Sequence, residues 1–310
     1  LARREELAMK YYALLLSTCL LWAGSFVISK TLVEHASPVT LTTLRWMIAV
    51  ICLVPIVWWK EKKIIPPKNA ILPLILMGLT GVVLFNLLQF LALAHTTATN
   101  VGLISTLNMI SIAICSALFL KEKLNLRQIF AMGICLLGVM LVLTKGKIDY
   151  LLSLKFNIGD WWMLAAVCTW GIYTICSKWA MTKTSALMST LYAAIFGLIM
   201  LLPISAPTFS VSNINSSFIF GILYTGVLAT VVCMLFWNIC VHHVGSTISG
   251  VFLNFNPIFT AILAFLLLGE KLTWMQVIGS VIAIVGCILF SHFNNKNIPR
   301  EVATNQSFQN

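Results

Sequence analysis

Ten stretches of the 310-residue chain are each apolar for about 20 residues, the length a helix needs to cross the hydrocarbon core of a bilayer. They run Tyr11–Val33, Pro38–Trp59, Ala70–Ala94, Thr99–Leu120, Leu126–Thr144, Asp160–Met181, Ala186–Ile204, Ser217–Val241, Ser246–Leu268 and Thr273–His292. Barrel strands would alternate polar and apolar residues with a period of two. These stretches are continuously apolar, so the chain reads as an all-α membrane protein with ten transmembrane helices. Its longest connections, Lys145–Gly159 and Ser205–Ser216, are too short to form a separate soluble domain. Composition agrees: 60% of residues are hydrophobic and 9% are charged, against about 25% charged in a soluble domain. Disorder is excluded by the same numbers.

The net charge of +11 comes from bases scattered between the apolar runs, with no basic stripe that would suit a nucleic acid. With the N-terminus inside, fourteen Lys and Arg fall in the inner regions and five (Lys30, Lys145, Lys147, Lys155 and Lys271) in the outer ones, while Arg45 lies within a span. The positive-inside rule therefore puts both termini in the cytoplasm. The first apolar run is too long for a secretory signal and lacks a small-x-small cleavage site, so it reads as a retained span. Met9 reads as a natural start, with the residues before it an added or upstream stretch.

An offset of 148 positions relates the two halves without a gap. It takes Trp22 to Trp170, Ser29-Lys30 to Ser177-Lys178, Pro55 to Pro203, Gly78 to Gly226 and His95 to His243. It continues through Thr99 to Thr247, Gly102 to Gly250, Asn108 to Asn256, Glu122-Lys123-Leu124 to Glu270-Lys271-Leu272, Gln128 to Gln276 and Gly138 to Gly286. Five spans per half is an odd number, so the second copy must lie inverted in the bilayer. Inverted repeats of this kind build secondary transporters, with substrate near the midplane where the halves meet.

These residues resemble the EamA-type branch of the drug/metabolite transporter superfamily. The likeness rests on Trp22-Ala23-Gly24-Ser25-Phe26 through Lys30, on Arg45-Trp46, and on Asn256-Pro257 through Leu268-Gly269-Glu270-Lys271-Leu272 to Gln276, Gly279 and Gly286. It divides the chain into a cytoplasmic segment 1–10, a first five-helix repeat 11–144, a linker 145–159, a second repeat 160–292 and a cytoplasmic tail 293–310. One departure concerns span 4, where Met109 stands in place of the proline that the pattern and Pro257 have, so a bend there is in question. The resemblance implies a central cavity lined by spans 1, 3, 4, 6, 8 and 9. It also implies a bacterial cytoplasmic (inner) membrane location and a small organic substrate, an amino acid or related metabolite, usually moved outward.

Ionisable groups inside a membrane are costly and point to function. Lys30 and Lys178, near the ends of spans 1 and 6, could draw a carboxylate or phosphate toward the cavity, or snorkel to headgroups. Arg45 reads as structural, pairing with Glu34 or capping carbonyls. Asn86 and Gln89 share a face of span 3, and Asn238, Asn108, Asn254 and Asn256 supply further mid-membrane amides. Pro257 removes a backbone donor and frees a carbonyl. Trp22, Trp170, Tyr173, Tyr224 and Trp237 would form aromatic walls, while Trp58, Trp59, Trp161 and Trp162 read as interface anchors. Amides also serve as glue between helices. Ala131, Cys135 and Gly138 repeat as Gly279, Ala283 and Gly286, a small-residue stripe that makes spans 5 and 10 a buttress between the halves or a dimer face.

No Asp or Glu stands mid-span, since Glu34, Glu122, Asp160 and Glu270 are near helix ends. Proton-driven cation export needs a buried carboxylate, so facilitated diffusion or exchange of neutral or anionic metabolites is favoured. The nine cysteines lie within spans and form no CxxC pair, and His95 and His243 sit at span ends, so no metal site or cofactor is expected. A membrane-embedded enzyme would need a nucleophile–base or metal constellation, and none is present. A passive channel and a multidrug exporter of hydrophobic cations are the other rivals. The expected protein is a non-enzymatic carrier working by alternating access, with the bilayer and a small molecule as partners.

Overall fold

The computed structural model describes residues 2–61, 65–119, 125–143, 157–244, 249–250, 252–271 and 273–295. Glu122-Lys123-Leu124, Thr247 and Leu272 of the repeat lie outside the described residues. So do Lys62, Lys63, Lys121, Lys145, Lys147, Lys155, Lys296 and Arg300, with most of the linker and the tail beyond Asn295.

The described residues form helices and no β-strand. In chain order they are α1 (Ala2–Leu32), α2 (Pro38–Glu61), α3 (Lys68–His95), α4 (Ala98–Phe119) and α5 (Leu126–Leu143). The second half comprises α6 (Ile158–Ala180), α7 (Ala186–Thr208), α8 (Ser216–Val244), α9 (Leu253–Leu268) and α10 (Trp274–Asn295). Six of these, α1–α4, α7 and α8, are long and apolar enough to cross a membrane, and α5, α9 and α10 contain shorter apolar helices. α6 is 23 residues long but carries Asp160, Lys178, Tyr173 and four tryptophans, which dilute its apolar character.

Local signals explain the helix ends. Asn157, Ser185 and Asn215 accept from the backbone N–H groups of Gly159, Met188 and Phe218, capping α6, α7 and α8. α9 ends at Gly269, whose φ of +64° is in the left-handed region that glycine enters without penalty. The turn that follows brings Glu270 to the start of α4, where its carboxylate accepts from Ala98 N (3.1 Å), Thr99 N (3.2 Å) and Thr99 Oγ1 (2.5 Å). A carboxylate at a helix N-terminus satisfies orphan donors and complements the helix dipole, so this contact ties the second half to the first.

Four helices depart from α geometry, and the departures occur in pairs. α3 widens into a π turn at Gly78–Leu84 and α8 at Tyr224–Val232. α4 tightens to a 3-10 turn at Ser105–Leu107 and α9 at Leu253–Phe255. Each pair is related by the sequence offset of 148 positions. Met109 therefore does not prevent α4 from leaving α geometry at the place where α9 does so just ahead of Pro257.

Packing between the halves is reciprocal. α1 packs on α8 and α9, and its repeat mate α6 packs on α3 and α4; α2 packs on α7 and α8, and α7 in turn on α2 and α3. α5 and α10 pack along each other's length. Their small residues meet backbone to backbone: a Cβ on Gly138 would lie 2.4 Å from Ala283 N, and one on Gly286 2.4 Å from Cys135 N. The outward faces of this pair are apolar, with Leu126, Phe130, Leu137 and Trp274 exposed. Trp58 and Trp59 are likewise exposed at the end of α2.

This seam predicts a contrast within one helix. Gly138→Leu pushes against the backbone of α10 and should lower stability by about 1–3 kcal/mol, whereas Gly133→Leu, with nothing within 4 Å of its Cβ position, should leave it unchanged or slightly raised. Thermal unfolding of the two variants in detergent measures the difference, and equal midpoints would contradict the packed seam.

Candidate functional site

A narrow cavity lies where the halves meet. About 460 Å³ of space free of protein atoms lies in it, part of that open to the surroundings. Trp22, Ser25 and Phe26 of α1, Arg45 and Trp46 of α2, and Phe85, Asn86 and Gln89 of α3 line it. Asn108 of α4, Trp170 of α6, Met234 of α8, and Leu253 and Asn256 of α9 complete the wall.

The aromatic part is built around the repeat mates Trp22 and Trp170, whose rings meet edge to face at 5.4 Å. Phe85 packs on Trp170 at 4.7 Å, and Trp237 lies 5.6 Å from Trp22 and 5.7 Å from Trp170. Such geometries let the positive edge of one ring meet the negative face of the next.

The polar part grows out of the π turns. A π turn shifts the hydrogen-bond register and frees carbonyls for side chains. Asn86 Nδ2 donates to Gly81 O (2.6 Å) and Val82 O (3.2 Å) in α3, and Trp22 Nε1 donates to Ala229 O (2.9 Å) in α8. Thr230 Oγ1 donates to Thr225 O (2.7 Å) and accepts from Arg45 Nε (2.5 Å). Arg45, 5% exposed, thus faces the cavity and bonds Thr230. The expected pairing with Glu34 is not made; Glu34 is exposed.

The cavity wall also holds polar atoms that are buried and unpaired among the described residues: Ser25 Oγ, Arg45 Nη1, Trp46 Nε1, Asn108 Oδ1, Trp170 Nε1 and Asn256 Oδ1. Buried polar groups are nearly always paired. Six of the twelve such atoms among the described residues belong to the wall of this one void.

Of the residues singled out in the sequence, Trp22, Asn86, Gln89, Asn108, Trp170 and Asn256 come together on this wall. Trp237 packs behind it. Asn238 is consumed by a network in which Tyr173 Oη (3.3 Å) and Ser177 Oγ (3.0 Å) donate to its Oδ1 and its Nδ2 donates to Thr190 Oγ1 (2.8 Å). Tyr224 braces α8 on α1, donating to Leu21 O (3.0 Å) beside Gly24, where a Cβ would lie 2.5 Å from its hydroxyl. Asn254 is buried against Met109, 4.0 Å from its sulfur. Lys30 Nζ donates to Leu93 O (2.7 Å) and Thr96 O (2.8 Å) at the end of α3, where a cation suits the helix dipole. Lys178 is half-buried in the last turn of α6, away from the lining. His95 and His243 each bond the carbonyl four residues back on their own helix. Sequence reasoning missed Ser25, Phe26, Trp46, Phe85, Met234 and Leu253 as lining residues, and the inward face of Arg45. A basic residue well inside a span was the one available signal.

A family model described as the EamA-like transporter family matches residues 9–144 and 157–292. An uncharacterised transporter of Archaeoglobus fulgidus is 30% identical over 90% of this chain and 96% of its own length. The uncharacterised transporter YyaM of Bacillus subtilis is 28% identical over 91% and 94%. An S-adenosylmethionine/S-adenosylhomocysteine transporter of Chlamydia trachomatis is 23% identical over 88% and 86%. One solved crystal structure superposes with a TM-score of 0.67 at 15% identity, covering 94% of this chain and 99% of that one, which shows the shared fold. The chain belongs to the EamA-like transporter family.

If Asn86 serves the π turn of α3, Asn86→Leu, similarly branched but without donors, removes its bonds to Gly81 O and Val82 O. The expected cost is about 1–3 kcal/mol, read as a lower unfolding midpoint in detergent; an unaltered midpoint would show that the turn satisfies its own carbonyls.

Proposed function

We propose that this EamA-family transporter carries a small organic metabolite, an amino acid or related compound, by alternating access between two inverted five-helix halves. The observation that carries the reading is the position of the cavity. Its wall is drawn from both halves, centres on the repeat mates Trp22 and Trp170, and gathers unpaired polar atoms at the repeat mates Asn108 and Asn256. A site shared by two related halves is accessible to either side as the halves rock.

The wall contains no Asp or Glu among its residues, which supports facilitated diffusion or exchange over proton-driven export. Export from the cytoplasm, an inner-membrane location with both termini inside, and a monomeric state belong to the same proposal. The relative that transports S-adenosylmethionine and S-adenosylhomocysteine supports a metabolite over a drug. A multidrug exporter of hydrophobic cations is the second reading: the aromatic cluster favours it, and Arg45 in the wall opposes it.

Purified protein in liposomes should show saturable counterflow of at least one member of a panel of amino acids, nucleosides and cationic dyes. The rate should not change when a proton gradient is collapsed. Gln89→Ala, on the wall but outside the π-turn bonds, should raise KM about tenfold or more, since a lost polar contact to substrate costs on the order of 1.5 kcal/mol. Conductance without saturation would indicate a channel, and exchange confined to the dyes would favour the drug exporter.

A further inference from the structure

We infer that Arg45 anchors a carboxylate on the transported solute, an assignment that rests on the transport reading above. Arg45 stands within α2 (Pro38–Glu61), buried and facing the cavity. One edge of its guanidinium is fixed because Nε donates to Thr230 Oγ1, whose own proton is committed to Thr225 O. That leaves Nη1 buried with no partner among the described residues. A guanidinium in a dry, low-dielectric site is costly without an anion, and no carboxylate side chain shares the wall. The planar fork of Arg matches a carboxylate in geometry as well as charge.

The rest of the wall narrows the class. Arg45 is the only Lys or Arg among the lining residues, so it balances one negative charge, which fits a carboxylate better than a dianionic phosphate. Trp46 Nε1 adds a second unpaired donor, and Asn108 Oδ1 and Asn256 Oδ1 are unpaired acceptors for an amine or other donor on the same molecule. The apolar part of the wall is mostly the rings of Trp22, Phe26, Phe85 and Trp170, which suit a flat apolar body. The substrate class is a small carboxylate with a planar apolar portion, either zwitterionic or simply anionic.

Counterflow into proteoliposomes of the full chain tests this with a matched trio. Phenylalanine has both the carboxylate and the amine, 3-phenylpropionate lacks the amine, and phenylalaninamide lacks the carboxylate. Phenylalanine and 3-phenylpropionate, or 3-phenylpropionate alone for a strictly anionic site, should exchange at least about tenfold faster than phenylalaninamide. Arg45→Gln should abolish that preference, while Arg45→Lys, which keeps the charge without the fork, should retain it at a reduced rate. Selectivity is the decisive readout, because a purely structural Arg45 would lower all three rates together; that result, in protein that remains monodisperse and melts cooperatively, overturns the assignment. Equal exchange of the three solutes by the unmodified protein overturns it without any variant. If none of the trio exchanges while another solute of the wider panel does, the carboxylate anchor fails and transport stands. If no solute exchanges at all, the transport reading fails and the anchor with it.

Discussion

In a hydrocarbon surrounding, a backbone carbonyl has no water to bond, so every departure from regular helix must be repaired from within the protein. The π turns at Gly78–Leu84 and Tyr224–Val232 create this demand on both sides of the cavity, and Asn86, Trp22 and Thr230 answer it. Arg45 is then held through Thr230. The polar side chains around the void are therefore oriented by the backbone irregularities they satisfy, and the cavity is shaped by the same bonds that keep α3 and α8 intact.

The two kinds of contact between the halves differ in character. At the α5–α10 seam, glycine and alanine bring backbones so close that no side chain can intervene, which makes that pair a dry and unyielding join. Around the cavity the contacts run through buried rings and amides instead of backbone. The Glu270 carboxylate on the first turn of α4 is intermediate, strong in charge but confined to one end of the bundle.

Much of the fold was legible because membrane helices announce themselves by length and the repeat by its chemically distinctive residues. Trp22 and Trp170, or Asn108 and Asn256, pair at one offset in the sequence alone, and the stripe from Ala131 to Gly138 marks a close-packed face. What the sequence could not reveal was direction. Within a uniformly apolar helix no hydrophobic periodicity separates inside from outside, so Tyr224 and Asn238 were expected in the cavity although one braces α1 and the other closes a network on α7. In sequence Arg45 reads as structural because its nearest carboxylate, Glu34, is a plausible partner, but in the fold Glu34 is exposed and does not pair with it. The π turns left no recognised trace either, since they depend on how side chains from distant helices meet the freed carbonyls.

The paired irregularities have a consequence for energy. In a rocking carrier made of two identical halves, opening to one side and opening to the other would be the same structure with the labels exchanged, and the two forms would be equal in free energy. Here the copies disagree at a few positions on the cavity wall or next to it: Asn86 is matched by Met234, Gln89 by Trp237 and Met109 by Pro257. On the alternating-access reading proposed above, each mismatch contributes to the gap between the two forms, and a gap of about 1.4 kcal/mol already gives a tenfold bias. The resting orientation of such a protein is set where its two copies have diverged.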